Sequence, residues 1–140
     1  MDYRTLAYPI LIWGEDYVFL AKNIKSFERT PRSQFGRLRN QARNGKTRLL
    51  DANGMYFRVT DEVVISSKHP VWKWFSEFRT APVLSEGRKV ELEEYKQRVK
   101  RAISARQRGE HGSNFVAELM EKLPSANSYR EALACVPKGM

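Results

Sequence analysis

The stretch "GKTRLLDANGMYFRVTDEVVIS" (residues 45–66) decides the fold. Leu49 and Leu50 precede "DANG", and Met55, Tyr56, Phe57 and Val59 follow it, so two apolar runs flank a turn signal. Asn53-Gly54 is a favoured dipeptide of tight hairpins because both residues accept the positive φ such turns need. Strands are expected around 47–51 and 55–59, with a third near Glu62–Ser66.

Upstream, Ala7–Trp13 ("AYPILIW") predicts a strand, with Pro9 near its start, where a missing N–H matters least. "GED" (14–16) turns the chain, and Tyr17–Ala21 ("YVFLA") predicts the partner strand. The nearly continuous apolar character of this hairpin, 7–21, points to burial on both faces. Thr30-Pro31 is expected to break regular structure, since the residue before proline is pushed out of the helical region. Ser33 then caps a short helix in which Phe35, Leu38 and Ala42 share a face. Gly36 weakens that helix by about 1 kcal/mol relative to alanine.

Downstream, "PVWKWFSEFR" (70–79) fits a helical stripe of Val71, Trp74, Phe75 and Phe78, with Pro70 at a first helical position. Trp72 falls off that stripe, and a strand with Trp72 and Trp74 on one face is the alternative. Residues 92–108 predict a helix with Leu92, Tyr95, Val99, Ala102 and Ile103 on a narrow apolar face, ended by "GEHG" (109–112). A further helix over 114–123 turns Phe115, Val116, Leu119, Met120 and Leu123 inward, with Pro124 beyond its end. The last, 128–136, opens on Ser128 and Glu131 in capping-box spacing. Strands first and helices last imply an α+β fold, a small antiparallel sheet (hairpins near 7–21 and 47–66) covered by C-terminal helices. At 140 residues, 41% apolar, the chain fits one domain with a proper core. No repeat, low-complexity tract or linker interrupts it.

The formal net charge is +9, and its distribution is uneven. Residues 29–48 carry seven cations and no acid, and residues 96–108 carry six more, which leaves −4 for the remainder. Localised positive charge favours an anionic partner by Coulomb steering. In 96–108 much of the pattern also serves the helix itself. Glu93 and Glu94 open it, the cations gather towards its C-terminus, and Glu94 and Arg98 form an i,i+4 pair.

Motifs for chemistry are missing or incomplete. "NQARNGKT" (40–47) lacks the first glycine of a phosphate-binding loop, and a strand is expected after it where that motif needs a helix. His69 and His111 lie far apart without a ligand partner at metal-binding spacing. Cys135, the only cysteine, falls on the apolar side of the last expected helix and reads as a small hydrophobe. Asp51, Asp61 and Glu62 are scattered carboxylates. An enzyme is the less favoured reading; no cofactor and no metal are expected, although basic and tyrosine side chains can cleave RNA without a motif. No signal peptide is read at the N-terminus, and no apolar run approaches the ~20 residues a membrane span needs. With one cysteine, a cytoplasmic protein without a membrane partner is expected.

Two functions remain. The favoured one is binding of nucleic acid, RNA or DNA, without sequence readout. It would use Arg29, Arg32, Arg37, Arg39, Arg43, Lys46 and Arg48 as a strip, extended by Lys100 and Arg101. Arginine predominates there, and its planar fork matches phosphate and stacks on bases. The alternative is a protein-binding module, an inhibitor or immunity-type antitoxin for an acidic-surfaced partner, anchored by Trp72.

Overall fold

In a computed structural model, which describes residues 3–15, 17–66, 77–105 and 112–136, the Asn53-Gly54 turn joins strands β4 (Thr47–Leu50) and β5 (Met55–Ser66). The loop holds three residues, Ala52, Asn53 and Gly54, and the pairing beyond it runs Leu50 with Tyr56 and Arg48 with Arg58. The buried Asp51 carboxylate builds this turn, its Oδ1 accepting from the backbone N–H of Asn53 (2.8 Å) and of Met55 (3.0 Å). Gly54 has φ +84°, left-handed backbone that glycine adopts without strain. A Cβ there would also collide with the Tyr129 ring.

The N-terminal hairpin forms as expected, from β1 (Ile10–Trp13) and β2 (Val18–Ala21). β1 pairs antiparallel with β4, so the two hairpins make one sheet. Its order is β2-β1-β4-β5-β6-β3, where β3 is Arg29–Pro31 and β6 is Glu77–Leu84, while β7 (Arg88–Lys89) pairs with β5 off this path. Every pairing is antiparallel.

Three local expectations are corrected. Residues 62–66 are not a separate strand but the far half of β5, reached through a register irregularity between Val59 and Asp61. Thr30-Pro31 does not end regular structure, since it lies in β3, a three-residue edge strand where a missing N–H is tolerated. The helix expected over 70–79 has residues 70–76 outside the described residues, and Glu77, Phe78 and Arg79 are strand, in register with Pro31, Thr30 and Arg29. Pairing with β3 along all three residues, and with Ser66 of β5 at Arg79, outweighs their helical apolar spacing. β3 stops pairing before Pro82, so that side of β6 is a free edge where proline fits.

Alternation along each strand sends side chains to two faces, and both are covered. Ile10, Ile12, Leu49, Phe57 and Val59 are buried on one face with Phe27 of α1 (Ile24–Phe27) and Ala42 of α2 (Arg32–Arg43). Leu11, Trp13, Val18 and Leu50 are buried on the other, with Tyr95, Val99, Ala102 and Ile103 of α3 (Leu92–Ala105). Leu119 of α4 (Gly112–Lys122) and Ala132 and Leu133 of α5 (Tyr129–Ala134) complete that core. The α+β class and the C-terminal helical layer follow the sequence pattern. The second helical layer, α1 and α2, extends it.

The start of α5 uses the expected chemistry, whereas Ser33, expected to cap α2, lies one residue inside that helix. Ser128 Oγ accepts from Glu131 N (3.1 Å), and the Glu131 carboxylate reaches back to the N–H of Asn127, a capping box one residue wider than standard. Tyr95 joins α3 to the turn, its hydroxyl donating to Asp51 O (2.7 Å) and its ring meeting Tyr129 edge-on at 4.9 Å. Tyr129 in turn donates to Val90 O. No helix among the described residues is long and apolar enough to cross a membrane.

Candidate anion-binding surfaces

The cations of residues 29–48 divide between two faces of the sheet. Arg37, Arg39 and Arg43 ride on α2, and Lys46 follows it. Arg29 and Arg32 contribute backbone to β3 and to the start of α2. Acids from outside the segment meet several of these cations. Asp61 of β5 accepts from Arg39 Nε (3.3 Å) and from Arg43 Nε (3.0 Å), and these hydrogen bonds, Arg43's foremost, hold its carboxyl below the usual range. Lys46 stands 3.7 Å from Glu15. Arg37 and Arg39 also approach the Tyr17 and Phe35 rings, at 6.0 and 5.8 Å. Much of the α2 charge is thus matched within the fold.

Arg48 goes to the opposite face. Across the sheet one row on that face reads Val18, Trp13, Arg48, Arg58, and the next reads Leu20, Leu11, Leu50, Tyr56, Arg88. Both rows pass from apolar on β2 and β1 to basic on β5 and β7. α3 packs on β1 and β2, the apolar half, while Arg58, Thr60 and Arg88 on the basic half are exposed.

From α3, Arg98 lays its guanidinium over the Tyr56 ring at 3.8 Å, and Arg88 approaches the same ring at 5.3 Å. Glu94 holds the pair, accepting from both terminal nitrogens of Arg88 (3.2 and 3.4 Å) and lying 3.7 Å from Arg98 Nε. That Nε is buried and makes no hydrogen bond. Arg48 donates to the Gly45 and Thr47 carbonyls (2.6 and 3.1 Å). Among the described residues neither Arg48 nor Arg58 has a carboxylate partner. Two arginines directly opposite each other on neighbouring strands repel.

The two cations selected on α3 part company. Lys100 faces α4 beside Lys96, whereas Arg101 is exposed one turn beyond Arg98. Lys100 therefore does not extend the α2 strip, and the helices carrying the two basic segments lie on opposite faces of the sheet. Trp72 and both histidines lie outside the described residues. Cys135 caps α5 half-buried, where burial pushes its thiol up. Among the described residues no three His, Cys, Asp or Glu side chains gather as metal ligands.

Tyr56, Arg58 and Arg88 were not singled out from the sequence. Their signal was the hairpin register, because a three-residue loop makes Arg48 and Arg58 partners and brings Tyr56 beside Leu50. The chain is an α+β protein with helices on both faces of an antiparallel sheet and an arginine-rich opening on one. Comparison with family models, with curated proteins and with solved structures finds no match.

Proposed function

We propose that the protein binds single-stranded nucleic acid, without reading its sequence, on the open part of the sheet around Tyr56. The observation that carries this reading is the facing pair Arg48 and Arg58, without acid partners among the described residues, beside the Arg98–Tyr56–Arg88 stack. A phosphate between two such guanidiniums relieves their repulsion and accepts from planar N–H forks. Arg98, held flat on Tyr56, offers a second planar surface to a base. The absence of a recognised base-reading motif favours backbone contacts over sequence readout. A single cysteine suits a reducing compartment, so the proposed site of action is the cytoplasm.

The test is fluorescence anisotropy with a labelled single-stranded RNA and its DNA counterpart at two salt concentrations. Arg58→Glu/Arg88→Glu, both exposed positions, is compared with Arg37→Glu/Arg39→Glu/Arg43→Glu on α2. Micromolar or tighter binding at physiological salt, lost in the first variant and kept in the second, supports the reading. Loss only in the α2 variant moves the site to the other face. No binding by the wild type overturns nucleic acid as the ligand and leaves an acidic protein as the partner to seek.

A further inference from the structure

On the far side of α3 from Arg98, a cavity of about 130 Å³ opens between α3 and the end of α4. Glu93, Lys96, Gln97 and Lys100 supply its polar wall, and Met120, Leu123 and Pro124 its apolar one. Lys96 is buried, yet among the described residues its ammonium meets only the Pro124 carbonyl at 3.3 Å and the exposed Glu93 carboxylate at 3.7 Å, both long. An ammonium carries three donors, and two long contacts leave part of that capacity unused. Donor capacity is therefore left beside a cavity of stated size.

We infer that this cavity binds a small monocarboxylate with a short aliphatic tail. The carboxylate would sit between Lys96 and Lys100, and the tail against Met120, Leu123 and Pro124. Size sets the scale, since cavities of about 150 Å³ hold a molecule as large as benzene, roughly six non-hydrogen atoms. Glu93 on the rim opposes a second negative charge, which selects a monoanion over phosphate. Met120, expected to turn inward, is instead exposed at the mouth and leaves room for a longer chain to continue outward. The same chemistry belongs to a free short-chain acid and to the C-terminal carboxylate of a peptide. The inference stands apart from nucleic-acid binding, because it uses the opposite side of α3 and an uncharged tail.

The experiment is an amide ¹H–¹⁵N correlation titration of the full chain with butyrate, with butyramide as its uncharged isostere, and with inorganic phosphate. A short peptide ending in a free valine carboxylate is compared with its C-terminal amide. Butyrate is expected to shift the amides of Lys96, Lys100 and Leu123 saturably, with a Kd on the order of 1 mM, the range of so small a ligand. Butyramide should bind at least about tenfold more weakly, since a charge-assisted hydrogen bond is worth that much. Phosphate should bind more weakly than butyrate because it lacks the tail and meets Glu93 with more charge. Lys96→Met, which keeps the aliphatic stem, should abolish the shifts while peak dispersion elsewhere is retained. Lys100→Gln, at a half-exposed position, provides a second variant should the substitution at Lys96 unfold the helix pair. Tighter binding of the free-ended peptide than of butyrate identifies a chain terminus as the source, and the reverse identifies a small acid. Equal shifts by butyrate and butyramide, binding retained in both variants, or no shift by butyrate or the free-ended peptide overturns the inference.

Discussion

Glu62 and Asp61 are neighbours in sequence with opposite fates. Asp61 meets Arg39 and Arg43 and is held ionised. Glu62 is buried, and desolvation, helped by the Asp61 charge, pushes its carboxyl from 4.5 up to about 7. Below pH 4.5 the side chain is protonated whether the chain is folded or not, and it adds no pH-dependent cost. Between there and about 7 the unfolded chain releases the proton while the folded one keeps it, so stability falls as pH rises through this window. The full loss above it is about 3 kcal/mol. Asp61 acts in the opposite sense at lower pH, stabilising the fold above its unfolded pKa and ceasing to do so as acid protonates it. Urea unfolding at pH 5 and pH 8 should show the wild type losing stability across the interval and Glu62→Gln losing almost none. An equal fall in both proteins would remove Glu62 as the cause. The sequence marked these two residues only as scattered carboxylates. Neither the burial nor the partners from α2 leave a local signature, because both arise from chain 18 to 22 residues away in sequence or from the layer above the strand.

At the scale of elements, one turn determines which residues meet. A two-residue turn on Asn53-Gly54 would pair Arg48 with Val59 and Leu49 with Arg58, mixing the faces of the sheet. The three-residue loop pairs Arg48 with Arg58 and Leu49 with Phe57, so apolar meets apolar and basic meets basic. Gly54 makes that loop possible, through its left-handed φ and through the space it leaves for Tyr129 beneath Val90. Gly54→Ala should therefore cost about 2–4 kcal/mol, the sum of backbone strain and overpacking. Thermal unfolding checks the loss, and a change under about 0.5 kcal/mol, as expected of an unconstrained surface site, would contradict this account. The sequence announced the turn but not its length, and length decides register. It likewise announced hairpin 7–21 as buried on both faces without saying what covers each. The second cover, α2, is mostly polar and interrupted by Gly36, with Ala42 as its fully buried contact, so periodicity alone undersells it. By contrast α3, with Tyr95, Val99, Ala102 and Ile103 buried on one stripe, was legible from Leu92 to Ala105, residues 106–108 of the expected helix lying outside the described residues.

For the whole molecule, the question is which basic face meets an anion, since the +9 charge is carried on both sides of the sheet. Composition could not separate them, because Arg48 and Arg43 lie five residues apart in sequence and on opposite faces in space. Ion pairing separates them. Each face has one carboxylate that engages two arginines, Asp61 with Arg39 and Arg43 and Glu94 with Arg88 and Arg98, but Arg48 and Arg58 have none among the described residues. Salt dependence counts the contacts directly. Two phosphate contacts by Arg48 and Arg58, the pair without acids among the described residues, give a log–log slope of about −1.4 on a single strand. Arg58→Glu/Arg88→Glu should remove about half of it. Asp61→Asn serves as the opposite probe, because it releases Arg39 and Arg43 on α2 while costing under about 1 kcal/mol of stability for exposed pairs. If the Tyr56 face carries the ligand, Asp61→Asn leaves both affinity and slope as in the wild type. If α2 carries it, two freed guanidiniums tighten binding and steepen the slope by about one unit or more. Anisotropy titrations of the three proteins across a salt series distinguish these outcomes, and a steeper slope in Asp61→Asn would refute the assignment to the Tyr56 face even where binding itself is strong.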